Sequence, residues 1–232
     1  MHKYKKVSLI FPCYNEEEGI ETAIKEFRVT RLIDEIIVVD NNSTDRTAEI
    51  AKKNGAVVIK ETRQGYGFAV RAGLQKATGD TIIVAEPDGT FLGRDVEKLL
   101  SYVEDFDFVV GTRINSSLIW EGANMGLFLK WGNWFLAKLI QTLYNGPSLT
   151  DVGCTLRAIK KTALKKIQNK FNVGGSEFSP EMIILALQHK IKTIEIPVNY
   201  LPRKGTSKIT GNKVKAFFLG LRMLQLIFTR FL

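Results

Sequence analysis

Two carboxylates spaced two residues apart close an apolar run at Thr81-Ile-Ile-Val-Ala-Glu86-Pro-Asp88-Gly-Thr90. Residues two apart on an extended strand point to the same side, so Glu86 and Asp88 can face one ligand. Oxygen donors of this kind suit a hard divalent cation, Mg²⁺ or Mn²⁺, which keeps positions open for phosphate oxygens. An acidic pair on a Pro/Gly turn is also an ordinary solvated turn, so the pair gains weight from what accompanies it. A second acid-tipped run, Glu35-Ile-Ile-Val-Val-Asp40, leads into Asn41-Asn42-Ser43-Thr44-Asp45. Before it, Val7-Ser-Leu-Ile-Phe ends in Pro12-Cys-Tyr14-Asn15-Glu16, and a later run from Asp107 ends on Arg113.

These apolar runs lack polar alternation, as strands buried on both faces do. Helical spacing and cap residues predict helices over Glu16–Val29, Ser43–Asn54, Gly67–Ala77 and Asp95–Glu104, several stopped by glycine. Strands alternating with helices imply an α/β fold with a mostly parallel sheet and right-handed crossovers. Ligands of such sheets bind at the carboxyl ends of the strands, where Pro12–Glu16, Asp40–Asn42, Glu86–Asp88 and Arg113 all fall.

Five segments in consistent order carry a resemblance. Phe11-Pro-Cys-Tyr-Asn-Glu-Glu resembles the opening motif of family-2 glycosyltransferases with the GT-A fold, Val39-Asp-Asn-Asn-Ser-Thr-Asp their "V-D-D-G-S-x-D", and Glu86-Pro-Asp88 their D-x-D. Thr150-Asp-Val-Gly-Cys-Thr-Leu-Arg157 and Arg203-Lys-Gly-Thr-Ser-Lys208 are similar to segments of the polyprenyl- and dolichyl-phosphate sugar transferases, the dolichyl-phosphate mannose synthase group. The resemblance implies an inverting transfer of a sugar from a nucleoside diphosphate to a lipid phosphate. It places Asp40 and Asn42 at the base or ribose, Pro12, Tyr14, Glu16 and Gly65 along the nucleotide cleft, and Arg203 at the pyrophosphate. Glu86 and Asp88 would hold Mg²⁺ or Mn²⁺, while Asp88, Asp151 and Arg113 would serve catalysis. Arg113, Lys130, Arg157, Ser207 and Lys208 would meet the acceptor. Asp151 either orients a substrate or caps a helix containing Arg157 and Ala158. Glu181 either caps a helix or recognises the sugar. In the alternative reading the acceptor is a saccharide, and Glu181 or Asp151 is the base. The chain departs from the family in having Glu86 for Asp, Thr90 where Gln is frequent, and Asn41-Asn42 for Asp-Gly. Asn tolerates the left-handed backbone that such a turn needs.

Charge is divided along the chain. Residues 1–110 hold 15 Lys/Arg against 19 Asp/Glu, whereas residues 111–232 hold 18 against 5. The basic part is also greasy. Leu118–Tyr144 and Lys213–Leu232 carry Trp131, Trp134 and many Phe and Leu, but Lys130 and Arg222 interrupt them, short of the roughly 18 apolar residues a bilayer span needs. Both read as interfacial helices with cations at headgroups, against the alternative of helices covering the sheet. The expected organisation is a catalytic domain over 1–210, with a nucleotide-sugar half (1–113) and an acceptor half (114–210), then an interfacial helix over 211–232. The expected setting is peripheral, on the cytosolic face of a membrane, with a membrane-anchoring protein partner as one option and no nucleic acid. Cys13 and Cys154 read as reduced thiols rather than a disulfide. A dinucleotide-binding oxidoreductase is excluded, because no glycine fingerprint follows the first strand. A purely basic binding protein gives no reason for acids at two strand ends.

Overall fold

The chain is described by a computed structural model over residues 4–123, 126–203 and 213–232. The apolar runs form the strands β1 (Val7–Cys13), β2 (Glu35–Asp40), β3 (Val57–Lys60), β4 (Thr81–Val84), β5 (Phe108–Thr112), β6 (Arg157–Lys160) and β7 (Thr193–Pro197). The helices are α1 (Ile20–Val29), α2 (Thr47–Lys53), α3 (Tyr66–Lys76), α4 (Asp95–Val103), α5 (Leu127–Leu143), α6 (Lys161–Ile167), α7 (Phe178–Gln188) and α8 (Lys213–Phe231). One seven-stranded sheet results, in the order β3-β2-β1-β4-β6-β5-β7. β1 to β4 pair in parallel and β5 pairs in parallel with β7, while β6 runs antiparallel to both its neighbours. The α/β, mostly parallel expectation therefore holds.

Side chains alternate between the faces of each strand and fill two cores. Ile10, Ile37, Ile82 and Val84 join α3, α5, α7 and α8 on one face. Leu9, Phe11, Val38 and Ile83 meet α1 and α4 on the other, where Phe11 and Phe27 pack edge to face at 5.3 Å between centroids. Fully burying one such side chain contributes about 1.5–3 kcal/mol.

α5 and α8 cover the sheet, as in the alternative to interfacial helices, and also carry apolar side chains outward. Leu136, Ala137 and Ile140 of α5 and Met223 and Ile227 of α8 lie in the core. Leu127, Trp131, Trp134, Phe135, Val214, Phe217, Phe218, Leu221 and Phe228 remain exposed. No helix among the described residues is long and apolar enough to cross a membrane.

Two boundaries differ from the sequence reading. α1 and α2 begin at Ile20 and Thr47, not at Glu16 and Ser43. The polar residues taken as caps instead bind across to each other's loop. Asn15 N–H donates to Ser43 Oγ (3.1 Å), Glu16 N–H to Thr47 Oγ1 (2.8 Å), Glu17 N–H to Asp45 Oδ2 (3.1 Å), and Thr44 N–H to Asn15 Oδ1 (2.8 Å). Such side chains offer backbone groups an alternative to helix, and here they clamp the ends of β1 and β2 together. The helix expected around Arg157 and Ala158 is also absent. Those residues are β6, pairing with Val84 and Ile83 of β4, so Asp151 has no helix there to cap.

Candidate active site

The carboxyl ends of β1, β2 and β4 converge with the exits of β5 and β7 on one cleft of about 1470 Å³. Its lining includes Pro12, Tyr14, Glu16, Gly65, Glu86, Asp88, Arg113 and Arg203, eight residues expected there from sequence. Asp88 is buried, and its Oδ1 accepts from Thr90 N (3.0 Å) and Thr90 Oγ1 (2.6 Å). Thr90 thus holds the carboxylate in place. Arg203 bridges the other side, with Nη1 3.1 Å from Asp88 Oδ2 and Nη2 paired with Glu16. Burial, then the neighbouring Asp88, pushes the Glu86 carboxyl up to about 8, with Arg203 only partly offsetting them. A proton thus sits where a divalent cation would relieve the same repulsion, and two hard oxygen donors fit such an ion. Among the described residues no three His, Cys, Asp or Glu side chains cluster as a metal cage.

Asp151, wholly buried, grips Arg113: its oxygens accept Arg113 N (3.1 Å), Nε (2.8 Å) and Nη2 (3.0 Å). Burial opposes the Arg113 charge, but Asp151 prevails and raises its pKa. The guanidinium lies 5.0 Å from the Tyr200 ring centroid, which fixes its plane. Behind it, Glu195 Oε1 accepts Thr150 N and Asp151 N, both at 2.9 Å, so the turn presenting Asp151 is itself held. Asp151 is therefore a counter-ion of Arg113, not a helix cap.

Two expectations need correction. Arg157 is buried in β6 and donates to the carbonyls of Ser179 (2.9 Å) and Cys154; burial lowers its pKa, and it turns to the backbone rather than to an acceptor. Glu181 is fully buried, accepts the amides of Asn172 and Val173, and pairs with Arg230, which leaves it neither for sugar nor as a base. The first amides of α3 are taken: Gly67 N–H and Phe68 N–H donate to the carbonyls of Gly175 and Gly174, each at 3.2 Å.

Asp40 lies at the cleft's edge rather than in its lining, with Oδ1 accepting Ser43 N–H (3.0 Å). Asn42 adopts φ 64°, the left-handed turn anticipated from Asn, and donates to Thr62 O at 2.8 Å. The residue facing the cleft is Asn41, whose Oδ1 accepts Gly65 N–H (2.7 Å) while Nδ2 donates to Glu61 O and Arg63 O. Sequence reasoning put Asn41 at the ligand edge without giving it a role, and it missed Tyr66, Asn133, Ser179 and Tyr200 in the lining. The motif register had marked Asn41 only as a substitution, and the others lie in no motif. Lys130 is half-buried on α5 beside the lining residue Leu129. Ser207 and Lys208 lie outside the described residues. Cys13 and Cys154 are buried and unpaired, and burial pushes the Cys154 thiol up to about 12.

A mostly parallel sheet with an acid pair at its carboxyl edge, facing the exits of β5 and β7, defines a GT-A glycosyltransferase. The chain belongs to glycosyl transferase family 2, whose model matches residues 8–168. It is 31% identical to the low-salt glycan biosynthesis hexosyltransferase Agl6 of Haloferax volcanii over 88% of this chain, which spans only 49% of that relative's length. It is 30% identical to a UDP-N-acetylglucosamine–dolichyl-phosphate N-acetylglucosaminyltransferase of Methanococcus voltae over 94% of this chain and 97% of the relative. Among solved structures it is similar to glucosyl-3-phosphoglycerate synthase from Mycobacterium tuberculosis, crystallised with Mn²⁺, UDP and glucosyl-3-phosphoglycerate. The TM-score is 0.76 at 18% identity, covering 97% of this chain and 80% of that one.

Proposed function

We propose that the chain transfers a sugar from a nucleoside diphosphate to a polyprenyl or dolichyl phosphate at a membrane surface, with inversion and with a divalent metal. One observation carries this reading: the cleft that holds Glu86, Asp88, Arg113 and Arg203 runs into apolar walls from α5 and α8, including Leu129, Phe135, Leu136, Phe217 and Leu221. A polar, phosphate-ready end and a greasy end suit an acceptor with both characters. A lipid phosphate is already ionised near neutral pH, so the site needs cations to orient it more than it needs a base. Arg113, held flat by Asp151 and Tyr200, is oriented for that task, and an arginine fork suits phosphate oxygens. Exposed Trp131, Trp134, Phe217 and Phe218 on α5 and α8 give a bilayer something to receive, which supports a peripheral membrane setting. A relative that acts on dolichyl phosphate supports the same acceptor class.

Glu86 and Asp88 would hold Mg²⁺ or Mn²⁺, the ion crystallised with the M. tuberculosis relative being Mn²⁺. A metal there supplies Lewis-acid stabilisation of the departing nucleoside diphosphate. Arg203, now on Asp88 and Glu16, adds positive charge on the same side. Because Glu86 carries a proton up to about pH 8, a cation must displace it. Metal affinity is expected to rise about tenfold per pH unit below 8 and to level off above it, with close to one proton released per ion near pH 7. Calorimetry in buffers of differing ionisation enthalpy measures that proton, and pH-independent Mn²⁺ affinity between 6 and 8 would contradict it.

The decisive assay incubates labelled UDP- and GDP-sugars with polyprenyl phosphate and Mg²⁺ or Mn²⁺, followed by organic extraction. Label in the organic phase with one donor establishes the reaction and names the sugar. Release of nucleoside diphosphate without labelled lipid refutes the lipid acceptor. It would favour a saccharide acceptor, although Asp151 and Glu181, the bases that reading requires, are both bound to arginines.

A further inference from the structure

Glu177 and Glu181 lie one helical turn apart at the start of α7, and each meets an arginine of α8. Arg230 pairs with the fully buried Glu181, and Arg222 pairs with Glu177, itself 9% exposed. Acids are favoured at helix N-termini, but Glu177 makes no side-chain cap bond, and Glu181 turns both oxygens to the amides of Asn172 (2.9 Å) and Val173 (3.1 Å). Those amides begin the loop 172–177. Its next carbonyls, of Gly174 and Gly175, accept Phe68 N–H and Gly67 N–H. The contact leaves no room. A Cβ on Gly65 would stand 2.3 Å from Gly174 O, and one on Gly67 would stand 2.7 Å from Val173 O. Gly65 N–H is held in turn by Asn41. Gly65, Tyr66, Gly175 and Ser176 all line the cleft, and Arg222 reaches the same cleft from α8.

Ion pairs to α7, the backbone of the loop 172–177 and its hydrogen bonds to Gly67 and Phe68 therefore join α8 to the wall of the cleft between β2 and α3. From this we infer that Arg222 and Arg230 are positioning residues for the nucleotide side of the site, so that α8 sets the geometry of donor binding as well as any contact it makes with lipid. The inference rests on the nucleotide-sugar reading above.

The test uses the full chain and its Arg222→Ala, Arg230→Ala and Arg222→Glu/Glu177→Arg variants. Binding of UDP and GDP with Mn²⁺ is measured by calorimetry, and hydrogen exchange is followed over residues 65–68 and 172–177. Each alanine variant is expected to weaken the bound nucleotide about fivefold or more. Exchange at Gly67 and Phe68 should quicken while β1 and β2 stay protected, and the charge-swapped pair should recover most of the affinity. Parental affinity and exchange in Arg222→Ala, whose side chain is more than half exposed and whose loss the fold tolerates, would overturn the inference. So would a folded swap that recovers nothing, since Arg222 would then touch the nucleotide itself. A parent chain that binds neither nucleotide fails the nucleotide-sugar reading, and the inference falls with it.

Discussion

Asp88→Asn is expected to yield a folded protein whose turnover is lower by about 10³-fold or more, the scale of several kcal/mol of charge stabilisation. Asp88 is 1% exposed and sits on the tight turn at the end of β4. Asn can keep the Oδ1 contacts to Thr90, so the turn survives the change. The second oxygen becomes an amide facing Arg203 Nη1, donor against donor, where a 3.1 Å ion pair stood. Losing that pair destabilises, whereas Glu86 no longer has to be held protonated beside a charged neighbour, which offsets part of the loss. The Glu86 carboxyl should titrate lower, because Asp88 is the second cause of its elevation after burial. Below the ordinary carboxylate range both states bind the proton. From about pH 4.5 to 8 the parent's folded state holds a proton that the unfolded chain has lost, so metal-free stability falls with rising pH. The variant should show a weaker slope in that window. Mn²⁺ binding, read calorimetrically without turnover, should be lost together with activity. Near-normal activity with Mn²⁺ affinity intact would remove Asp88 from the metal site.

Arg113→Ala should be the most destabilising single change in the site, by about 3–5 kcal/mol, the range for removing one partner of a buried ion pair. It strands the Asp151 carboxylate, with no exposed surface, on two backbone amides, that of residue 113 at 3.1 Å and that of Gly153 at 3.0 Å. Asp151→Ala should cost a similar amount by leaving the buried guanidinium without its counter-ion. The double variant removes both charges, and its cost should fall well short of the sum. Denaturant midpoints of the four proteins measure the coupling, and additive losses would mean that the two residues do not act as a pair. Arg113→Lys keeps a charge but not the planar fork that Asp151 and Tyr200 hold. It should lose activity by a larger factor than it loses stability.

The strand ends were legible because their chemistry is local. Unbroken β-branched runs tipped by Asp40, by Glu86 and Asp88, or by Arg113 could only be buried strands delivering polar groups to one edge. Asn in the turn after Asp40 likewise announced the left-handed backbone found at Asn42. Local signals also misled. Ser43 and Thr44 look like helix caps, yet they and Asn15 bind across the gap between two loops, a pairing no window of sequence contains. Arg157 looked like a phosphate ligand because a motif carried it, and Glu181 looked like a cap or a sugar contact because it starts a helix. Each is a long-range structural bond instead.

What the sequence determined by itself was the layering of the sheet, the edge at which ligands gather and the pair of acids at its centre, because hydrophobic run length and strand-end residues act over a few positions. Only the tertiary structure decided which charges were already matched. Asp151 with Arg113, Arg203 with Asp88, and Glu181 with Arg230 are 38, 115 and 49 residues apart in the chain. A buried charge takes its role from the partner that neutralises it, and folding, not spacing, chooses that partner.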